Sequence, residues 1–229
     1  MTENTIILSL DNLSKSFPQR GLVLDGLSLE VNEGDALAFM GPSGSGKTTL
    51  MNIIGLLDKP DTGEIIFKGR AISGFSGDES SGYRSRNIGF VFQDHLLLPY
   101  LTIIENIFLP LIAASHSKEE LEERKDHLMG LMKKAGIDTL AEKYPFQISG
   151  GEAQRAALVR ALANKPSILL ADEPTGSLDN ANASLMGDLM LEMNGKFGTT
   201  LIVATHSYEL AKRMTHLFRL ENGKLNRSL

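Results

Sequence analysis

Nine consecutive residues constrain this chain more than any others: Gly41-Pro42-Ser43-Gly44-Ser45-Gly46-Lys47-Thr48-Thr49. They fit the phosphate-binding loop pattern, a glycine-rich turn leading into a lysine and a hydroxyl residue. Glycine tolerates the curled backbone that aims several N–H groups at phosphate oxygens. A helix behind the loop adds the positive end of its dipole. Lys47 is placed for the outer phosphates as a point charge, and the Thr48 hydroxyl is placed to ligate magnesium. Ala36 to Met40 reads as a short buried strand and Thr48 to Leu57 as an amphipathic helix, which is the context the motif requires. An ordinary Gly/Ser loop rarely carries lysine and two threonines at these offsets behind an apolar strand. A nucleoside triphosphate site is therefore expected.

The remaining composition bounds the answer without naming it. The chain has 229 residues and 42% hydrophobic content, enough for one large or two small domains with a proper core. A net charge of −5, with no basic stretch interleaved with aromatics, argues against a nucleic-acid partner. Cysteine is absent, which excludes disulfides and thiolate metal sites. Met1 to Asn4 lacks the basic start of a secretory leader, and no stretch approaches the roughly 20 apolar residues of a membrane span. The longest candidate, Ile103 to Ala114, is interrupted by Glu105, Asn106 and Pro110. Docking on a membrane protein stays open.

Local patterning divides the chain. Ile6 to Leu10, Leu22 to Val31 and Glu64 to Lys68 predict an antiparallel layer. Ile88 to Phe92 reads as a buried strand. Ile103 to Ala114 and Lys118 to Ala135 read as helices, the second capped by Ser117. The charged face Glu119, Glu122, Glu123, Arg124, Lys125 is expected to be solvated surface. Strands at Ile168 to Ala171, Thr199 to Ala204 and Leu217 to Leu220 alternate with helices near Glu152 to Ala163, Ala181 to Met193 and Tyr208 to Arg213. Alternation of this kind implies parallel pairing with crossovers. The expected class is α/β, with a helical insertion over residues 98–147 in a core made of residues 1–97 and 148–229.

Three further segments carry chemistry. Ile168-Leu169-Leu170-Ala171-Asp172-Glu173 is an apolar strand ending in two carboxylates, and ligands sit at the carboxyl ends of such strands. Asp172 is expected to hold magnesium, and Glu173 to orient and deprotonate water. His206 follows the next strand and is within reach of the same phosphate. Gln93, after Phe92, is expected to touch the metal or the water. Ser149-Gly150-Gly151-Glu152 opens a helix with exposed backbone N–H groups. Because the first loop already cradles one nucleotide, this second anion site suggests service to a nucleotide held by another copy.

Together these segments resemble the ATP-binding subunits of ABC transporters over nearly the whole chain. Gly41 to Thr48 resembles the Walker A motif, Gln93 the Q-loop and Ile148 to Glu152 the signature. Ile168 to Glu173 resembles Walker B with its catalytic glutamate, Ser177-Leu178-Asp179 the D-loop and His206 the switch histidine. Phe17 is similar in position to the aromatic that stacks on adenine. Ile148 stands where leucine is usual, and Ala153 where a polar residue is common. The resemblance implies a P-loop NTPase fold, ATP and Mg2+ as ligands, and a homodimer in the ATP-bound state. It also implies integral-membrane permease subunits docking near Gln93 and residues 96–108, at the cytoplasmic face of the inner membrane. The apolar run Leu96 to Leu101 is either that partner surface or an internal plug. Within the family, Ala171 to Asp179, Leu97 to Thr102 and the tail resemble the subgroup of lipoprotein-releasing, macrolide-exporter and cell-division ATPases, with the tail most similar to the lipoprotein-releasing members. Ser177 stands where that subgroup usually has asparagine.

Overall fold

A computed structural model describes residues 5–114 and 116–228. The leader expectation at Met1–Asn4 lies outside the described residues.

Two sheets organise the chain. The larger contains β3 (Ala36–Met40), β6 (Ile88–Val91), β7 (Ile168–Asp172), β8 (Thr200–Ala204), β9 (His216–Glu221) and β10 (Lys224–Ser228), in the order β10-β9-β3-β8-β7-β6. All its pairings are parallel except β9 with β10. The smaller is antiparallel, with β1 (Ile6–Phe17), β2 (Gly21–Asn32), β4 (Thr62–Phe67) and β5 (Arg70–Ala71) in the order β2-β1-β4-β5. The expected α/β class and antiparallel layer are both present.

Side-chain alternation splits the core into two layers. Leu37, Phe39, Leu170 and Ile202 face the antiparallel sheet and Leu50, Met51, Ile53 and Ile54 of α1 (Lys47–Ile54). Ala38, Leu169, Ala171, Leu201 and Val203 face α3 (Ile103–Ala113), α4 (Lys118–Lys134), α5 (Gly150–Ala161) and α6 (Asn180–Phe197). Covered on both faces, β3, β7 and β8 are apolar apart from Asp172 at the end of β7 and Thr200 at the start of β8. This is why they could be read from sequence.

Some boundaries differ from expectation. Helix α1 ends before Leu57, because Gly55 caps it and Leu56 takes a left-handed φ of 51°. Strand β1 continues past Leu10 to Phe17 through register shifts, one beside Asn12 at φ 51°. Helix α2 (Gly77–Asn87) was not expected, since it buries only Ser80 and Tyr83. Its start is marked by the Ser76–Glu79 capping box. Thr102 and Glu105 box the start of α3, and Ser117 and Glu120 that of α4. Helix α7 (Tyr208–Ala211) is shorter than expected, and β10 is an addition. Arg124 is half-buried rather than solvated.

Candidate functional site

A cleft of about 600 Å³ opens beyond the carboxyl ends of the central strands. Ser43, Gly44, Gly46, Lys47, Thr48, Thr49, Gln93, Asp172, Glu173 and His206 line it, together with Arg20 and Val23. Five separate segments of the sequence thus meet at one place. Gly46 caps α1 at φ 103°, and an added Cβ would lie 2.9 Å from Val23 Cγ1. No side chain caps this helix and no acid occupies its first turn, so its N-terminus keeps its positive character for an anion. Lys47 is buried, and its ammonium donates to the carbonyls of Gly41 at 2.8 Å and Pro42 at 3.1 Å. Gly41 itself packs tightly, since a Cβ there would lie 2.3 Å from the Leu220 carbonyl oxygen.

Asp172 and Glu173 occupy different environments. Burial raises the Asp172 carboxyl above its ordinary range and neighbouring Glu173 adds to this, while the Thr48 hydroxyl and Lys47 pull the other way. Asp172 Oδ1 is buried without a hydrogen-bond partner. An orphaned carboxylate oxygen next to a threonine hydroxyl is a hard oxygen donor set, and it suits a magnesium ion.

Glu173 turns away from the strand at φ 48°. Its Oε2 accepts from the Thr205 hydroxyl at 3.3 Å and from the His206 amide at 3.2 Å, and lies 2.8 Å from His206 Nδ1. Pairing of Asp172 with Ala204 across β7 and β8 sets this meeting, since Glu173 and Thr205 follow directly. Gln93 is steadied from behind: buried Gln154 of α5 donates to the Phe92 carbonyl at 2.6 Å.

Other expected residues lie apart. Ser149 to Glu152 do not line the cleft. Ser149 caps α5, and Glu152 Oε2 accepts from both the amide and the hydroxyl of Ser149 at 2.7 Å. Space beside Gly150 is open, whereas a Cβ on Gly151 would lie 2.6 Å from Asn182 Oδ1. Pro42 and Ser45 line an adjoining hollow on the outer side of the loop. Phe17 lines neither cavity; it is half-buried with the Lys15 ammonium 5.3 Å from its ring centre. Arg20 and Val23 were not foreseen. A cation in the turn after Phe17 and an apolar residue just inside β2 were the available signal.

The ABC transporter family profile matches residues 24–176. The chain belongs to the ABC transporter family. As an ABC ATP-binding subunit it binds nucleotide and is an ATPase. It resembles the lipoprotein-releasing system ATP-binding protein LolD of Buchnera aphidicola subsp. Acyrthosiphon pisum, 38% identical over 225 residues and 97% of each chain. It also resembles LolD 1 of Rhodopirellula baltica, 41% identical over 224 residues and 96% of each chain. Among solved structures, the ATP-binding cassette MJ0796, a dimer in a post-hydrolysis state bound to ADP and Pi, superposes with a TM-score of 0.86 at 36% identity. That match covers 97% of this chain and 98% of the other. Among the described residues no helix of this ABC ATPase is long and apolar enough to cross a membrane.

Proposed function

We propose that this ABC ATPase powers the release of lipoproteins from the inner membrane, bound at the cytoplasmic face to separate membrane subunits. The observation that carries the reading is near-full-length similarity to proteins named for that system, at 38% and 41% identity in the two cases above. In this reading Lys47 and the N–H groups of Gly41 to Thr49 hold the phosphates of ATP. Phe17 and the Arg20 turn flank the base. Thr48, Asp172 and Gln93 would hold Mg2+, which when bound neutralises charge on the phosphates. Glu173 orients and deprotonates the attacking water, and His206 holds the Glu173 carboxylate in place.

Two copies face each other, so that Ser149, Gly150, Gly151 and Glu152 of one complete the site of the other. Dimeric MJ0796 cassettes support this arrangement, as does the open space beside Gly150. Contacts made only in the closed pair shift the open–closed balance, and reversing a 1:99 population needs about 5.5 kcal/mol. Residues 98–147 form the helical subdomain on a core of residues 1–97 and 148–229. Membrane subunits dock near Gln93 and residues 96–108. In that stretch Leu97 is buried, while Leu96, Leu98 and Tyr100 are exposed, so the plug and the docking surface share one loop. Depletion of the chain in its host tests the cargo. Lipoproteins should accumulate in the inner-membrane fraction, and an unchanged distribution would remove this function.

A further inference from the structure

Thr205 stands directly after β8 and is fully buried. Its amide donates to the Phe39 carbonyl of β3 at 3.0 Å, two residues ahead of the phosphate loop. Its hydroxyl accepts from the Ser207 amide at 3.0 Å and gives its one proton to Glu173 Oε2 at 3.3 Å. Thr200, at the opposite end of β8, meets the backbone amide of Gly34 instead.

Glu173 needs such a restraint. Its backbone is left-handed at φ 48°, a conformation that costs a residue with a Cβ and persists where the surroundings over-determine it. Its amide donates to the Ala204 carbonyl at 2.8 Å, and its carbonyl accepts from the Gly176 amide at 3.0 Å. These bonds fix where the side chain leaves the main chain, but its own torsions still decide where the carboxylate ends. The contacts that aim it all fall on one oxygen. Oε2 accepts from the Thr205 hydroxyl and the His206 amide and lies beside His206 Nδ1. An amide can only donate, so Oε2 is held as an acceptor and Oε1 is the oxygen left for a new proton. The His206 ring is largely exposed, whereas the Thr205 hydroxyl is buried on a residue tied to β3, so the hydroxyl is the firmer anchor.

We infer that Thr205 is a positioning residue for hydrolysis: it anchors Glu173 Oε2 relative to the phosphate loop, so that Oε1 receives the proton of the attacking water. The inference rests on the general-base reading of Glu173 above and adds the oxygen that acts and the group that aims it. In that step the water O–H bond breaks toward Oε1 and the water oxygen forms the bond to the γ-phosphorus. The β–γ bridging oxygen leaves on ADP with the electron pair of the broken P–O bond.

The test is ATP hydrolysis by the full chain carrying T205V, T205S, T205C, E173Q or T205V/E173Q. T205V removes the hydroxyl at nearly constant shape. It should lower kcat on the order of tenfold to a hundredfold, with the KM and Kd for Mg-ATP within about twofold of wild type. T205S keeps the donor and should return kcat to within about threefold of wild type, while T205C, a weak donor, should stay as slow as T205V. On the E173Q background T205V should slow single-turnover hydrolysis no further, because no base is left to aim. A wild-type kcat in T205V overturns the inference, as does a loss that T205S fails to recover or a further loss on E173Q. If thermal melts show T205V unfolded, T205C against T205S decides by the same criteria. An inactive E173Q beside a fully active T205V overturns this inference alone, whereas wild-type turnover in E173Q overturns the general-base reading together with it.

Discussion

His206 Nδ1 lies 2.8 Å from Glu173 Oε2, so the two residues at the ends of neighbouring strands act as one unit. His206 is largely exposed and Glu173 largely buried, which places the carboxylate in the cleft and the ring at its mouth. Replacing Glu173 with Gln should reduce ATP hydrolysis at least a hundredfold, on the order of what a positioned general base contributes. Nucleotide should still bind, as measured by fluorescence titration. Turnover near the wild-type rate would remove Glu173 from this role.

Lys47 is expected to dominate ground-state affinity. Its ammonium is pre-positioned by the Gly41 and Pro42 carbonyls. Lys47→Ala should raise the Kd for Mg-ATP by roughly a hundredfold, about the loss of one or two charge-assisted hydrogen bonds. An unchanged Kd in isothermal titration would contradict the cradle.

Asp172 makes stability depend on pH. Its native carboxyl is raised above the ordinary 3.8 by burial first and Glu173 second. The unfolded chain therefore loses this proton at lower pH than the folded one. Stability from this group is complete below 3.8 and is lost as pH rises through the higher native value. Asp172→Asn should flatten that fall and raise the melting temperature of the nucleotide-free protein at neutral pH, by about 2–4 °C for each 1 kcal/mol recovered. The same variant should lose the stabilisation that Mg-ATP gives the wild type. A lower melting temperature without ligand would show that burial of the charge is not the controlling cost.

Much of this was legible because the chemistry sits at strand ends. Apolar runs such as Ile168 to Ala171 are buried on both faces, and their carboxyl ends had to converge. What stayed hidden depended on partners far away in sequence. The second half of β1 is polar and bulged, and only its pairing with β2 and β4 holds it extended. Helix α2 carries almost no apolar face, so periodicity could not mark it. Arg124 reads as one charge among many, since sequence does not say which way a long side chain turns.

Buried Asn106 separates structure from coupling in the apolar loop. Its side chain accepts from the Leu98 amide at 2.7 Å and donates to the carbonyls of Leu98, Leu101 and Thr102. Asn106→Ala should destabilise the protein by about 2–4 kcal/mol in urea unfolding, since it leaves several part-buried backbone groups without their partner. Leu98→Asp, at a half-exposed position, should change stability by less than about 1 kcal/mol yet uncouple ATPase activity from the membrane partner. Collapse of the fold in Leu98→Asp would assign the whole loop to packing.

The central claim is that ATP joins two copies, each completing the other's site. Light scattering of Glu173→Gln with and without saturating Mg-ATP measures this directly. The account predicts one protomer mass without nucleotide and two with it, and the doubling should vanish when Ser149 and Gly150 are replaced by bulky acidic residues. A single protomer mass at saturating Mg-ATP would contradict it.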